Sequence, residues 1–192
     1  MKKVLLALAL MVLLSVLASA ENDSVTTGPY KISFDIGFNH SDYNVTVNAP
    51  TETEDLSGNK STVYKVTIKN NPRLMNQQKI DITLTHFEKD QERLPIDMRA
   101  KVFEIALLNI NLYSNVDAKG RIIDGVEGIA ASADLVYSGQ KIKTVWANYY
   151  PAFDWKRLDC FIMSTYPWDK GSLQLLKTIS IEKLNVTKKQ SV

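Results

Sequence analysis

Residues 121–166 read RIIDGVEGIA ASADLVYSGQ KIKTVWANYY PAFDWKRLDC FIMSTY, and this stretch decides the fold. Asp124-Gly125 is a turn dipeptide, because both residues tolerate the positive φ of a tight reversal. After it, Ile129, Ala131, Ala133, Leu135 and Tyr137 alternate with Ala130, Ser132, Asp134 and Val136, a period of two. Ser138-Gly139 interrupts the run. A second alternation follows, with Lys141, Lys143, Val145, Ala147 and Tyr149 set against Ile142, Thr144, Trp146, Asn148 and Tyr150. Pro151 ends it, having no N–H to give to a ladder. Leu158–Tyr166 is apolar on both faces in its middle, which suits a strand covered on both sides. Strands this close, joined by tight turns, make an antiparallel meander and not βαβ units.

Working outward, residues 171–184 read as a closing terminal helix with Ser172 as its N-cap. Upstream, Tyr30, Ile32, Phe34 and Ile36 mark a half-buried strand, and Tyr43, Val45 and Val47 a second one ended by Pro50. Two more strands, Thr62–Lys69 and Lys79–Phe87, are split by Asn70-Asn71-Pro72. Residues 22–28 read as a loose polar lead-in, and Thr51–Lys60 as a polar loop. Pro95 opens the one long helix, a position where its missing N–H costs nothing. In that helix Met98, Val102, Ile105, Ala106, Asn109 and Leu112 form one apolar stripe, while Val102, Phe103, Ala106, Leu107 and Ile110 form another. The polar side, with Asp97, Arg99, Lys101, Glu104 and Asn111, is narrow, so the spacing predicts a helix largely buried against the sheet. The fold class is therefore α+β, a single domain built on an antiparallel sheet.

The Ile123-Asp124-Gly125 turn, the long hairpin, the apolar strand, the Trp and the closing Leu175-Leu176-Lys177-Thr178-Ile179-Ser180-Ile181 together resemble the Mog1/PsbP-like superfamily. Phe34 and Tyr43–Pro50 resemble its opening strands, and residues 95–113 its central helix. The resemblance covers most of the chain as a pattern of elements. It implies an antiparallel sheet flanked by helices, an α-β-α sandwich, and a role in binding or assembly in place of catalysis. It brings no catalytic residue with it.

Lys2-Lys3, the apolar run Val4–Leu14 and Ala18-Ser19-Ala20 describe a secretory signal peptide over residues 1–20. The apolar run is short for a bilayer span of about 20 residues, so cleavage before Glu21 is expected, leaving a single domain over 21–192 with no further span. Of 192 residues, 172 then remain, and losing Lys2 and Lys3 takes 23 basic residues to 21, against 21 acidic. That balance gives no basic surface for nucleic acid. Cys160 is the one cysteine, so no intramolecular disulfide forms, and it reads as a small buried hydrophobe. Asn22, Asn39, Asn44, Asn59 and Asn185 all open Asn-x-Ser/Thr acceptor patterns. Together with the signal they place the protein outside the cell or on its surface.

No catalytic constellation emerges. His40 and His86 lie beside carboxylates without the three or four convergent ligands of a zinc site. Glu52, Glu54 and Asp55 lack the spacing of a calcium loop and read as a solvated tip. The strongest functional signal is aromatic. Trp146 falls in strand alternation and belongs to the core, whereas Tyr150, Phe153 and Trp155, followed by Lys156 and Arg157, cluster around a loop. Large side chains with polar handles suit recognition. The expectation is a non-enzymatic binding module without cofactor or metal, with an unidentified protein or small-molecule partner. Two alternatives stand beside it: an exported hydrolase or cation-dependent enzyme whose carboxylates converge only in three dimensions, and a structural envelope component.

Overall fold

The structure is a computed structural model that describes residues 23–71, 78–110, 112–137, 139–165 and 169–185. Strands β1 (Asp23–Thr27), β2 (Tyr30–Phe34) and β11 (Ser180–Lys183) form a small sheet in the order β1-β2-β11. The large sheet contains β3 (Tyr43–Val47), β4 (Thr51–Glu54), β5 (Lys60–Asn70), β6 (Lys79–Phe87), β7 (Tyr113–Ile123), β8 (Val126–Tyr137), β9 (Gln140–Tyr149) and β10 (Leu158–Thr165). Its order is β3-β5-β6-β10-β9-β8-β7, with β4 alongside β5, and every pairing is antiparallel. Among the described residues two helices, α1 (Ile96–Asn109) and α2 (Asp169–Thr178), complete an α+β domain.

The meander forms as its alternation predicts. Asp124 and Gly125 take φ of 52° and 73° and reverse the chain between β7 and β8. β10 then passes β9 and pairs with β6, which joins the C-terminal meander to the N-terminal hairpin. Ile162 thereby faces Ile82 on one side and Ala147 on the other.

The alternation of β5, β6, β9 and β10 sends one set of side chains to each face. On the first face Val66, Ile82, Leu84, Ala147, Tyr149 and Cys160 meet β2 and the Leu175-Leu176 pair of α2 in the main core. On the second, Ala131 and Trp146 meet Leu107 of α1 in a smaller core edged by Phe103, Tyr113 and Phe161. Cys160 is fully buried, and burial pushes its thiol well above the ordinary range.

The sequence reading needs correction in five places. Residues 23–27 are a strand, because Val25 pairs with Ile32 and packs on the main core. Thr51–Glu54 is also a strand, folded back on β5 around a turn in which Asp55 accepts from the backbone N–H groups of Ser57 and Asn59. The helix stops at Asn109, and Tyr113–Ile123 is strand β7. The closing helix runs from Asp169 to Thr178, so Ser172 lies inside it, and the chain continues as β11 with the Ile181 N–H donating to Asp124 Oδ2 at 3.0 Å. Finally, α1 is not largely buried. It touches the sheet along one seam, in which Arg99 and Leu107 are buried.

Beyond the cover of α1 the second face turns polar. Asp81 is buried there, accepting from Thr67 Oγ1 at 2.7 Å with Lys79 Nζ at 2.6 Å and Lys65 Nζ at 3.2 Å. Burial pushes its carboxyl up, but Lys79, Thr67 and Lys65 outweigh that and hold it below the ordinary range. A depressed folded value adds stability above the unfolded value of about 3.9, and that stability is lost as pH falls through the lower folded value. Asp81→Asn is therefore expected to unfold more easily than the parent at pH 7. The gap should close below about pH 4 in denaturant titrations run across pH.

Candidate functional site

The aromatic loop follows β9, and a single helical turn over Ala152–Asp154 divides it. Tyr150 turns to the second face of the sheet, where the Arg93 and Arg99 guanidinium carbons lie 3.8 and 3.9 Å from its ring centre. Phe153 turns the other way and packs on Tyr30, with ring centres 6.3 Å apart. Trp155 is 51% exposed, with Lys156 Nζ 5.6 Å from its ring centre. Arg157 is drawn to Asp154 at 3.5 Å and Asp90 at 3.7 Å, and Lys156 to Asp90 at 3.5 Å. Tyr150 and Phe153 thus point to different faces and do not converge on one ligand.

The loop is held from below. Arg93 donates to the carbonyls of Trp155 and Lys156, each at 3.1 Å, and Arg99 donates to Asn148 Oδ1 at 2.8 Å. The Asn148 amide in turn donates to Asp159. Burial pushes the Asp159 carboxyl up, against the opposing pull of Arg93, Asn148 and Arg99. Tyr150 is therefore the packed centre of a structural network, whereas Phe153 at 44% and Trp155 at 51% exposure both reach solvent, and Trp155 does so beside a cation. Trp155→Ala should leave the denaturation midpoint within about 0.5 kcal/mol of the parent, the usual range for a surface change.

The candidate polar sites do not converge either. His86 Nε2 meets Asp154 at 3.4 Å and His40 Nδ1 meets Asp23 at 2.9 Å. Among the described residues no group of three or more His, Cys, Asp or Glu is placed to hold a metal ion. Glu52, Glu54 and Glu88 share a shallow cleft of about 220 Å³ with Lys60 between them. On the first face, Lys119, Arg121 and Lys143 border a cleft of about 280 Å³ floored by Ala130, Ser132 and Val145. Arg121 pairs with Gly128 and Lys143 with Asp134. Six residues of β8 span roughly 20 Å, so these cations cannot grip one small anion together.

Of the sequons, Asn39, Asn44 and Asn185 are exposed, whereas the Asn59 side-chain amide donates to Asp55 Oδ2 at 3.0 Å. Asn22 lies outside the described residues.

The feature that the sequence reading missed is the outer side of α1. Met98, Val102, Ile105 and Leu108 of α1, and Leu112 just after it, are each 46–55% exposed. Of the fifteen exposed large hydrophobic side chains among the described residues, six fall within 98–112, so this is a patch and not scattered singles. Ile122 of β7 extends it at 69% exposure, and shares a cleft with Ile96 and Asp97 of α1. Its rim is nearly charge-neutral, since Lys101 Nζ and Glu104 Oε2 pair at 3.0 Å. The signal was available in the composition. Two apolar stripes were read from α1, and a sheet can cover only one of them.

The chain matches no protein-family model, no curated protein and no solved structure. Among the described residues no helix is long and apolar enough to cross a membrane.

Proposed function

We propose that this chain is an exported, non-enzymatic assembly module of Mog1/PsbP-like α-β-α type, which docks onto a protein partner through the outer ridge of α1. One observation carries the reading: α1 bears two apolar stripes, yet the fold covers only the side bearing Arg99 and Leu107. A sheet buries one stripe of a helix packed on it, and a second apolar stripe left in water calls for another cover. Exposed apolar patches of several hundred Å² on a folded domain mark interaction sites. Trp155 and Lys156 offer a smaller secondary contact, tied to the start of α1 through Arg93 and Tyr150. The resemblance read from 121–181 supports this fold class and role, and the leader read at 1–20 supports a site outside the cytoplasm.

The test is Ile105→Glu, made at a position where the native side chain is already half in water. Its thermal midpoint should stay within about 0.5 kcal/mol equivalent of the parent, as expected at a surface site. The particle that carries the protein in native extract should shrink on a sizing column. An unchanged particle size with an unchanged midpoint would remove α1 as the docking element.

A further inference from the structure

Among the described residues β7 is the last strand of the large sheet and has a neighbour on one side only. An open edge presents a row of unpaired N–H and C=O groups, a template for another strand. Over residues 116–122 it carries no proline, and its two faces differ sharply. Asp117, Lys119 and Arg121 stand on the face away from α1. Val116 and Ala118 stand on the α1 side, with Gly120 and Ile122 next to Ile96.

Resting on the docking role of the α1 ridge, we propose that the partner is a second copy of this chain. Its β7 joins antiparallel across a two-fold axis through Lys119, making one continuous sheet.

The register follows from matching side chains. With Lys119 opposite its own copy, Asp117 faces Arg121 of the second copy, and Arg121 faces Asp117. The same register sets Val116 opposite the exposed Ile122, and Ala118 opposite Gly120. Opposite charges and apolar pairs facing each other across strands stabilise a ladder. Arg121 has no ion pair among the described residues, whereas Lys119 already holds Asp117 at 2.7 Å, which offsets the contact between the two Lys119 side chains. Moving the axis to Gly120 sets Lys119 against Arg121, two like charges. Moving it to Ala118 sets Ile122 against Ser114. At the N-terminal end the ladder stops at the bulge between Ser114 and Asp117, where Asn115 takes a φ of 52°.

The same two-fold sets the two copies of α1 side by side on one face of the joined sheet. α1 packs chiefly on β7 and secondarily on β8, so its axis lies slightly inboard of the edge. Strands are about 4.8 Å apart, so the two copies of α1 would run antiparallel at roughly 10 Å, within the usual 8–10 Å packing distance or just above it. They meet flank to flank, next to the paired Val116 and Ile122, and add to the area of the strand ladder.

The experiment is sedimentation equilibrium on the chain purified from its source. It compares the parent with Asp117→Arg, Arg121→Asp, the double swap Asp117→Arg/Arg121→Asp, and Ile105→Glu. The expected result is a dimer that each single reversal weakens at least tenfold, since each turns two attractive pairs into two repulsive ones. The double swap should restore the parent constant to within about threefold. A dimer disrupted by Ile105→Glu but indifferent to 117 and 121 would overturn the β7 register while leaving the ridge as the interface. A monomer at every concentration, with Ile105→Glu still shrinking the particle in native extract, would overturn the second copy and keep a different protein as partner. No effect of Ile105→Glu in either setting would end both readings.

Discussion

Trp146→Ala is expected to lower the stability of the domain by about 3–5 kcal/mol, the range for removing a buried indole. Trp146 is 8% exposed and, with Tyr113 and Phe161, joins α1 to the sheet from below. Tyr113 meets it edge-on at 5.3 Å and Phe161 at 5.7 Å, and its Nε1–H donates to Thr144 Oγ1 at 3.1 Å. Removing the ring opens a cavity under Leu107 and takes one donor from the buried Thr144 hydroxyl, which keeps its bond to the Ala133 carbonyl. The main core on the other face is untouched. Amide exchange should therefore rise in α1 before it rises in β6 and β10. Denaturant titration gives the magnitude, and exchange mapping gives the location. A loss below about 1 kcal/mol would mean that the second core contributes little and that α1 is held by its termini.

The second large effect is expected at Gly28, which turns the chain between β1 and β2. Its φ is 54°, and a Cβ there would come within 2.2 Å of Tyr64 Cε1 and 2.8 Å of Cδ1. Tyr64 cannot simply swing away, because its ring meets Tyr30 edge-on at 5.3 Å and Tyr30 is buried in the main core. Gly28→Ala combines backbone strain with overpacking and should cost roughly 2–4 kcal/mol. Tyr64→Ala separates the two causes. In the double variant the steric part should disappear and the strain part remain, so the two losses should be markedly non-additive. Strict additivity would show that the clash is relieved some other way.

How far the sequence could be read depends on where each residue finds its partners. β8 and β9 were legible because Ile129, Ala131 and Ala133, and then Val145, Ala147 and Tyr149, alternate without interruption. β7 was not, because the bulge at Asn115 breaks its period and Asp117, Lys119, Gly120 and Arg121 are poor strand formers. It is a strand because β8 pairs with it. Arg99 was read as part of the polar, outward side of α1, yet it points inward, because Asn148 and Tyr150, some fifty residues later, supply its partners. The two apolar stripes of α1 are plain in the sequence, but burial within this chain needs only one of them, and no local signal says which stripe the sheet takes. In the aromatic loop, the exposure of Trp155 was foreseeable from its place after Pro151. The opposite facing of Tyr150 and Phe153 depends on the single helical turn at 152–154, which no local signal announces.

The most direct test of an α1 ridge covered in the working protein is the oxidation rate of Met98. Its side chain is 55% exposed in the isolated domain, and a solvent-accessible thioether converts readily to the sulfoxide. Peptide mapping after mild peroxide treatment would compare intact source cells with the purified chain at high dilution. The account predicts rapid sulfoxide formation at Met98 in the dilute chain and strong protection in the cells, with Met163, partly buried against the sheet, serving as the internal reference. Equal rates at Met98 in both settings would mean that the ridge meets only water, and would contradict an assembly role for α1.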